Sequence, residues 1–156
     1  PALKKRIMWG NLAIASTIAI TILFGAAAIN HFNDPLLWLV AASAMSLTTA
    51  REIIMDTNDQ EGDYNRNTLP KVLGNEKARK TVWILSVASA LLITLPFTLG
   101  YLPQNLVVFV LPAVLSSIAV KPFLKQGNDN EAGHILRVAM IFGLLGLALC
   151  GMIINY

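Results

Sequence analysis

Apolar residues run along this chain in blocks too long and too unbroken to be the buried stripe of an ordinary surface helix. No Asp, Glu, Lys or Arg occurs from Ile7 to Asn33, from Pro35 to Ala50, from Thr81 to Val120 or from Val138 to Tyr156. A helix crossing the hydrocarbon of a bilayer needs about 20 apolar residues. The pattern therefore predicts five spans, at 8–29, 35–51, 82–100, 105–120 and 135–154, the second and fourth being the shortest. The run from Thr81 to Val120 is divided in two because Gly100, Pro103, Gln104 and Asn105 mark a turn in its middle. The expected fold is an all-α integral membrane bundle. Residues 1–156 form one transmembrane domain, with residues 51–80 making a charged loop at one surface.

Composition supports this reading, and charge placement sharpens it. Hydrophobic residues make up 55% of the chain and charged ones only 13%, against about 25% charged in soluble domains. A very apolar soluble helical bundle is the competing class. If the five spans alternate sides, all 12 Lys and Arg fall on one side. Lys4, Lys5 and Arg6 then share it with the basic residues between Arg51 and Lys80, and with Lys121, Lys125 and Arg137. The positive-inside rule assigns that side to the cytoplasm or its organellar equivalent. The net charge of +3 is thereby explained without a nucleic-acid partner. Trp9, Trp38, Trp83, Tyr101 and Tyr156 lie near predicted span ends, where interfacial aromatics collect. The single cysteine, Cys150, reads as a small packing residue, and His31, Asp34 and His134 read as structural.

The segment Arg51–Pro70, REIIMDTNDQEGDYNRNTLP, concentrates the candidate chemistry. Glu52, Asp56, Asp59 and Asp63 stand at i, i+4, i+7 and i+11, within about 60° of one another if the helix of the second span continues through them. Like charges so spaced destabilise a bare helix, so a cation is expected in front of them. Mg²⁺ takes oxygen ligands and commonly combines one or two carboxylates with substrate phosphates. An acidic helix that gathers Mg²⁺ and a diphosphate is the reading favoured here. A solvated, charge-balanced helix face is the plainer one. An EF-hand fails, because placing Gly62 at the sixth loop position puts Thr68 where a bidentate Glu belongs. A proton pathway would place ionisable groups within the spans, which are nearly free of them. Arg66, Lys71, Lys121 and Lys125 are cations on the same side as the acids, available to a diphosphate or simply snorkelling to headgroups. Gly62 is expected to interrupt the acidic helix, and Thr68-Leu69-Pro70 to stop it.

These residues resemble the UbiA superfamily of intramembrane prenyltransferases, whose members have nine membrane helices and two Asp-rich motifs on cytoplasmic loops. The second motif follows DxxDxxxD within a longer RExxxDxxDxEGD stretch, then TLP and a glycine. Here Arg51-Glu52, Asp56, Asp59, Glu61-Gly62-Asp63, Thr68-Leu69-Pro70 and Gly74 match it. Lys5-Arg6 with Gly10-Asn11-Leu12 is similar to the start of the family's fifth helix. Only Tyr64-Asn65-Arg66-Asn67 separate EGD from TLP, a shorter connection than is usual in the family.

The resemblance implies that the five spans correspond to helices five to nine, the C-terminal part of a larger enzyme. It implies Mg²⁺-dependent transfer of a prenyl group, most simply geranylgeranyl, from an isoprenyl diphosphate to a lipophilic acceptor. Asp56, Asp59 and Asp63 would be the catalytic metal ligands, joined by Glu52, while Arg66, Lys71 and Lys121 would neutralise the diphosphate. The wording from Ala50 to Asp63 is most similar to members that geranylgeranylate geranylgeranylglyceryl phosphate. Members that prenylate aromatic rings for quinones, tocopherols or chlorophyll share much of it. The first motif, NDxxDxxxD, does not occur in these residues. Its absence keeps open a separate N-terminal half as partner, or a non-catalytic subunit of a larger membrane complex.

Overall fold

The computed structural model describes residues 9–59 and 68–154. Among them there are only helices and their connections: α1 (Trp9–Ala28), α2 (Pro35–Asn58), α3 (Leu69–Leu73), α4 (Asn75–Thr98), a 3₁₀ segment (Gln104–Phe109), α5 (Leu111–Ala119), α6 (Lys121–Gln126) and α7 (Asp129–Ile154). Four of these, α1, α2, α4 and α7, are long and apolar enough to cross a membrane. They correspond to the first, second, third and fifth predicted spans.

The fourth predicted span, 105–120, is not a single helix. It is split at Val110 into the 3₁₀ segment and α5, and the chain turns again at Val120 into α6. Pro112 and Pro122 lie in the first turns of α5 and α6, where a residue without an N–H is tolerated, whereas inside one continuous helix each would remove a hydrogen bond. The two pieces together rise about 25 Å, short of the roughly 30 Å of a hydrocarbon core.

Local chemistry fixes the helix ends on the side that carries no Lys or Arg. Asn30 has φ 61°, and the His31 N–H reaches the Ala26 carbonyl at 2.8 Å. Gly100 has φ 80°, and the Tyr101 N–H reaches the Pro96 carbonyl at 2.9 Å. Both are six-to-one closures after a left-handed residue, which satisfy carbonyls that would otherwise be orphaned. Asp34 caps α2 by accepting the Leu36 N–H at 2.9 Å, just ahead of Pro35 in the first turn. The Trp38 indole N–H donates to the Phe32 carbonyl at 2.8 Å, and the two rings meet edge to face at 5.3 Å.

The interior is built from small and hydroxylated residues and the exterior from large apolar ones. Ala15, Ala41, Ala50, Ala78, Ser86 and Ser89 are buried, while Phe24 and Leu144 are each 74% exposed. That inversion suits a lipid surround, where helices associate through close backbone approach and interhelical hydrogen bonds. The Ser43 hydroxyl donates to the Ser89 carbonyl and the Ser89 hydroxyl to the Ser43 carbonyl, both at 3.0 Å. Ser46 donates to the Leu85 carbonyl at 2.9 Å. These bonds clasp α2 to α4. Gly146 of α7 lies against the 3₁₀ segment so closely that a Cβ there would collide with the Phe109 carbonyl oxygen.

One apolar cluster ties α2, α3, α4, α6 and α7 together at the basic end, through Ile53, Ile54, Leu69, Val82, Leu124 and Leu136. A second at the other end gathers Phe97, Leu102, Leu106, Val110 and Cys150. Cys150 is buried there with its thiol 3.6 Å from the Leu106 carbonyl, in keeping with a packing role.

Candidate functional site

The acidic helix ends sooner than its spacing suggests. α2 stops at Asn58, and Asp59 is its C-cap, with φ −93°, ψ 11° and its N–H bonded to the Met55 carbonyl at 2.9 Å. Glu52 and Asp56 therefore share one helical face, and Asp59 sits at the helix end. Asp63 and Arg66 lie outside the described residues, as do Glu61 and Gly62.

Thr68-Leu69-Pro70, expected as a stop, starts a helix. Pro70 lies in the first turn of α3, whose fixed φ suits a helix start, and Gly74 with φ 85° separates α3 from α4. Leu69 is 4% exposed and belongs to the cluster that contains Ile53, Ile54 and Ala78. The connection between α2 and α3 is thus held at both ends, by the α2 terminus and by Leu69 docked into the bundle.

Across α1, Asn11 points at the acids. Its Nδ2 donates to Asp56 Oδ2 at 2.8 Å, and Asn11 is only 5% exposed. A buried amide held on a membrane helix is costly unless paired, and here it fixes one oxygen of the middle carboxylate. This pairing was not foreseen from the sequence, although its signal was present: Asn11 is the one amide in α1. Glu52 is turned aside, its Oε1 accepting Arg51 Nη1 at 2.8 Å. Asp59 is exposed, with the Asn58 amide 3.4 Å from its Oδ1. Among the described residues no three His, Cys, Asp or Glu side chains are grouped closely enough to hold a metal ion.

The expected diphosphate cations are not all brought to the acids. Lys71 is exposed on α3, on the same connection as the acids. Lys121 lies elsewhere: its ammonium is 4.8 Å above the Trp83 ring, beside Glu76, Arg79 and Lys80. Those α4 residues face roughly 140° around the helix from the Val82, Leu85 and Ser89 face that meets α2. Arg79 is also committed, its Nε and Nη2 donating to the two oxygens of buried Asp129 at 2.7 and 2.6 Å. This fork-to-carboxylate pair pins the start of α4 to the start of α7.

Below the acids, a cavity of about 310 Å³ opens between α1, α2, α4, α5 and α7. Ile18, Ile22, Leu47, Ile93 and Met140 line it, with Thr21, Ser43, Ser89 and Ser117 as its hydroxyls. Asn11 shares the α1 face of Ile18 and lies seven residues, about 10 Å, nearer the acidic end.

A profile of the UbiA prenyltransferase family matches residues 1–145. The chain belongs to the UbiA prenyltransferase family. Digeranylgeranylglyceryl phosphate synthase of Saccharolobus solfataricus is 32% identical over 158 residues, covering 94% of this chain and 54% of that protein. The enzymes of the same name from Thermococcus sibiricus and Methanopyrus kandleri are 31% and 29% identical, covering 94% and 92% of this chain and 53% and 54% of theirs. The chain spans about half the length of the curated relatives it matches. No solved structure matches it. Membership together with four membrane-length apolar helices makes this an integral membrane protein.

Proposed function

We propose that the intact protein transfers a geranylgeranyl group from its diphosphate to a lipophilic acceptor, with geranylgeranylglyceryl phosphate as the acceptor. The observation that carries the reading is the acidic terminus of α2, with Asp56 held by Asn11 of α1, on the same side of the bundle as an apolar cavity that opens further down α1 and α2. The names of the relatives favour this acceptor over an aromatic one. The acidic end would face the cytoplasm, since it shares its side with every Lys and Arg.

The donor set suits Mg²⁺: Asp56 and Asp59 offer hard carboxylate oxygens at the end of α2, and Asp63, the third acid of the motif, follows in the sequence. When bound, Mg²⁺ neutralises charge developing on the departing diphosphate. Asn11 would keep the Asp56 carboxylate aimed, and Lys71, exposed on α3, would supply a cation. Breaking the allylic carbon–oxygen bond sends its electron pair to the diphosphate and leaves an allylic cation, which the acceptor hydroxyl attacks with loss of its proton. The walls of Ile18, Ile22, Leu47 and Met140 would receive the isoprenoid and keep water from the cation. A second set of acids would come from outside these 156 residues.

Membranes containing the intact protein, supplied with labelled geranylgeranyl diphosphate and either acceptor, test the reading. Mg²⁺-dependent labelling of geranylgeranylglyceryl phosphate, lost in Asp59→Ala, is the expected result. Labelling of an aromatic acceptor alone would move the acceptor assignment, and full activity in Asp59→Ala would remove the site.

A further inference from the structure

We propose that the outer face of α4, α5 and α6 binds an anionic membrane lipid, with its phosphate among Lys80, Lys121 and Lys125 and one acyl chain in the groove beneath. Two hollows adjoin there. One, of about 420 Å³, is lined by Glu76, Arg79, Lys80, Trp83, Lys121 and Lys125, with Leu124 at its floor. The other, of about 330 Å³, is lined by Val87, Ala90, Leu91, Thr94, Val114 and Ile118. Trp83 belongs to both.

The polarity along this surface is that of an amphiphile. On α4 the stripe runs Lys80, Trp83, Val87, Leu91, Thr94, and on the antiparallel α5–α6 it runs Lys125, Lys121, Ile118, Val114. Both stripes place lysine at the same end and apolar side chains below it. Arg79 is neutralised by Asp129, so the net charge of the upper hollow comes from three lysines set against Glu76. Trp83 marks the boundary, its ring under the Lys121 ammonium at 4.8 Å, as interfacial tryptophans do. From Trp83 to Thr94 the groove descends about 16 Å, close to the half-thickness of a hydrocarbon core. A phosphate of one net negative charge with a chain one leaflet deep complements it. Lysines that merely snorkel would be scattered along the surface; these converge from two helices over one groove. The proposal does not depend on the transferase reading.

The test uses the intact protein with every tryptophan other than Trp83, Trp9 and Trp38 among them, replaced by Phe, so that Trp83 is the fluorophore, in phosphatidylcholine vesicles. A minor fraction of lipid brominated near the headgroup end of one chain is added as either phosphatidylglycerol or phosphatidylcholine. Stronger quenching by brominated phosphatidylglycerol is expected, with the preference falling about tenfold in K121Q/K125Q and in a groove-filling Val114→Trp variant read by lipid co-purification. Equal quenching by the two lipids would overturn the proposal. So would a preference that survives K121Q/K125Q, which would reflect the general surface charge, or one relieved by added inorganic phosphate, which would assign the lysines to a free anion.

Discussion

Helix α4 separates two apolar hollows that differ in what stands at their mouths. On the side of α2, the cavity of Ser43, Leu47, Ser89 and Ser117 lies below Asn11 and Asp56, whose side chains are joined at 2.8 Å. On the opposite side, the groove of Val87, Leu91, Val114 and Ile118 lies below Lys80, Lys121 and Lys125. Both could receive a hydrocarbon chain. The charge above each decides which headgroup can accompany it, since carboxylates admit a phosphate only through a divalent cation whereas lysines bind one directly. On the two proposals made above, one amphipathic logic would yield a metal-dependent site on one face and a metal-independent one on the other.

The largest effect expected to break the comparison is at the acids. Asp56→Asn in the intact protein should lower transfer by on the order of 10²–10³-fold, the scale of losing one charge-stabilising group in a reacting site, and leave the lipid preference of the lysine face unchanged. Next comes Asn11→Ala. It removes only the orienting bond, so transfer at fixed Mg²⁺ should fall about 10- to 100-fold, be partly restored by raised Mg²⁺, and be largely rescued in Asn11→Gln or Asn11→His. If extra Mg²⁺ restores nothing, Asn11 serves packing alone. Asp129→Asn should cost about 1–3 kcal/mol in detergent unfolding, because the Arg79 guanidinium loses its bidentate partner. The same change should strengthen the anionic-lipid preference by releasing a fourth cation beside the lysines. The smallest effect is at the clasp between α2 and α4: Ser43→Ala should cost about 0.6–1 kcal/mol in unfolding and leave the lipid preference of the lysine face in place.

The bundle was legible because the lipid solvent demands long uncharged runs, and four of the predicted spans are single helices. The fourth was misread because its apolar residues are continuous while Pro112 and Pro122 each begin a new helix. Hydropathy sees the first property and backbone hydrogen bonding sees the second. At the site, the motif spacing singled out Glu52, Asp56 and Asp59, which the structure places on the last turns of α2 and at its C-cap. It also implied an unbroken helix, which the chain ends at Asn58. Lys121 was grouped with the acids because they share a membrane side, and sidedness says nothing about which face of α4 a residue joins. The Arg79–Asp129 pair, separated by 50 residues, left no spacing signal at all.

The central claim is that the end of α2 holds a divalent cation and the outer face of α4 does not. Mn²⁺ in place of Mg²⁺ allows this to be measured directly, by electron paramagnetic resonance on the intact protein with a non-reactive thiodiphosphate analogue. The amount of Mn²⁺ bound per protein should fall in Asp56→Asn/Asp59→Asn and stay unchanged in K121Q/K125Q. An unchanged amount in the aspartate variant, or a fall in the lysine variant, would contradict the account.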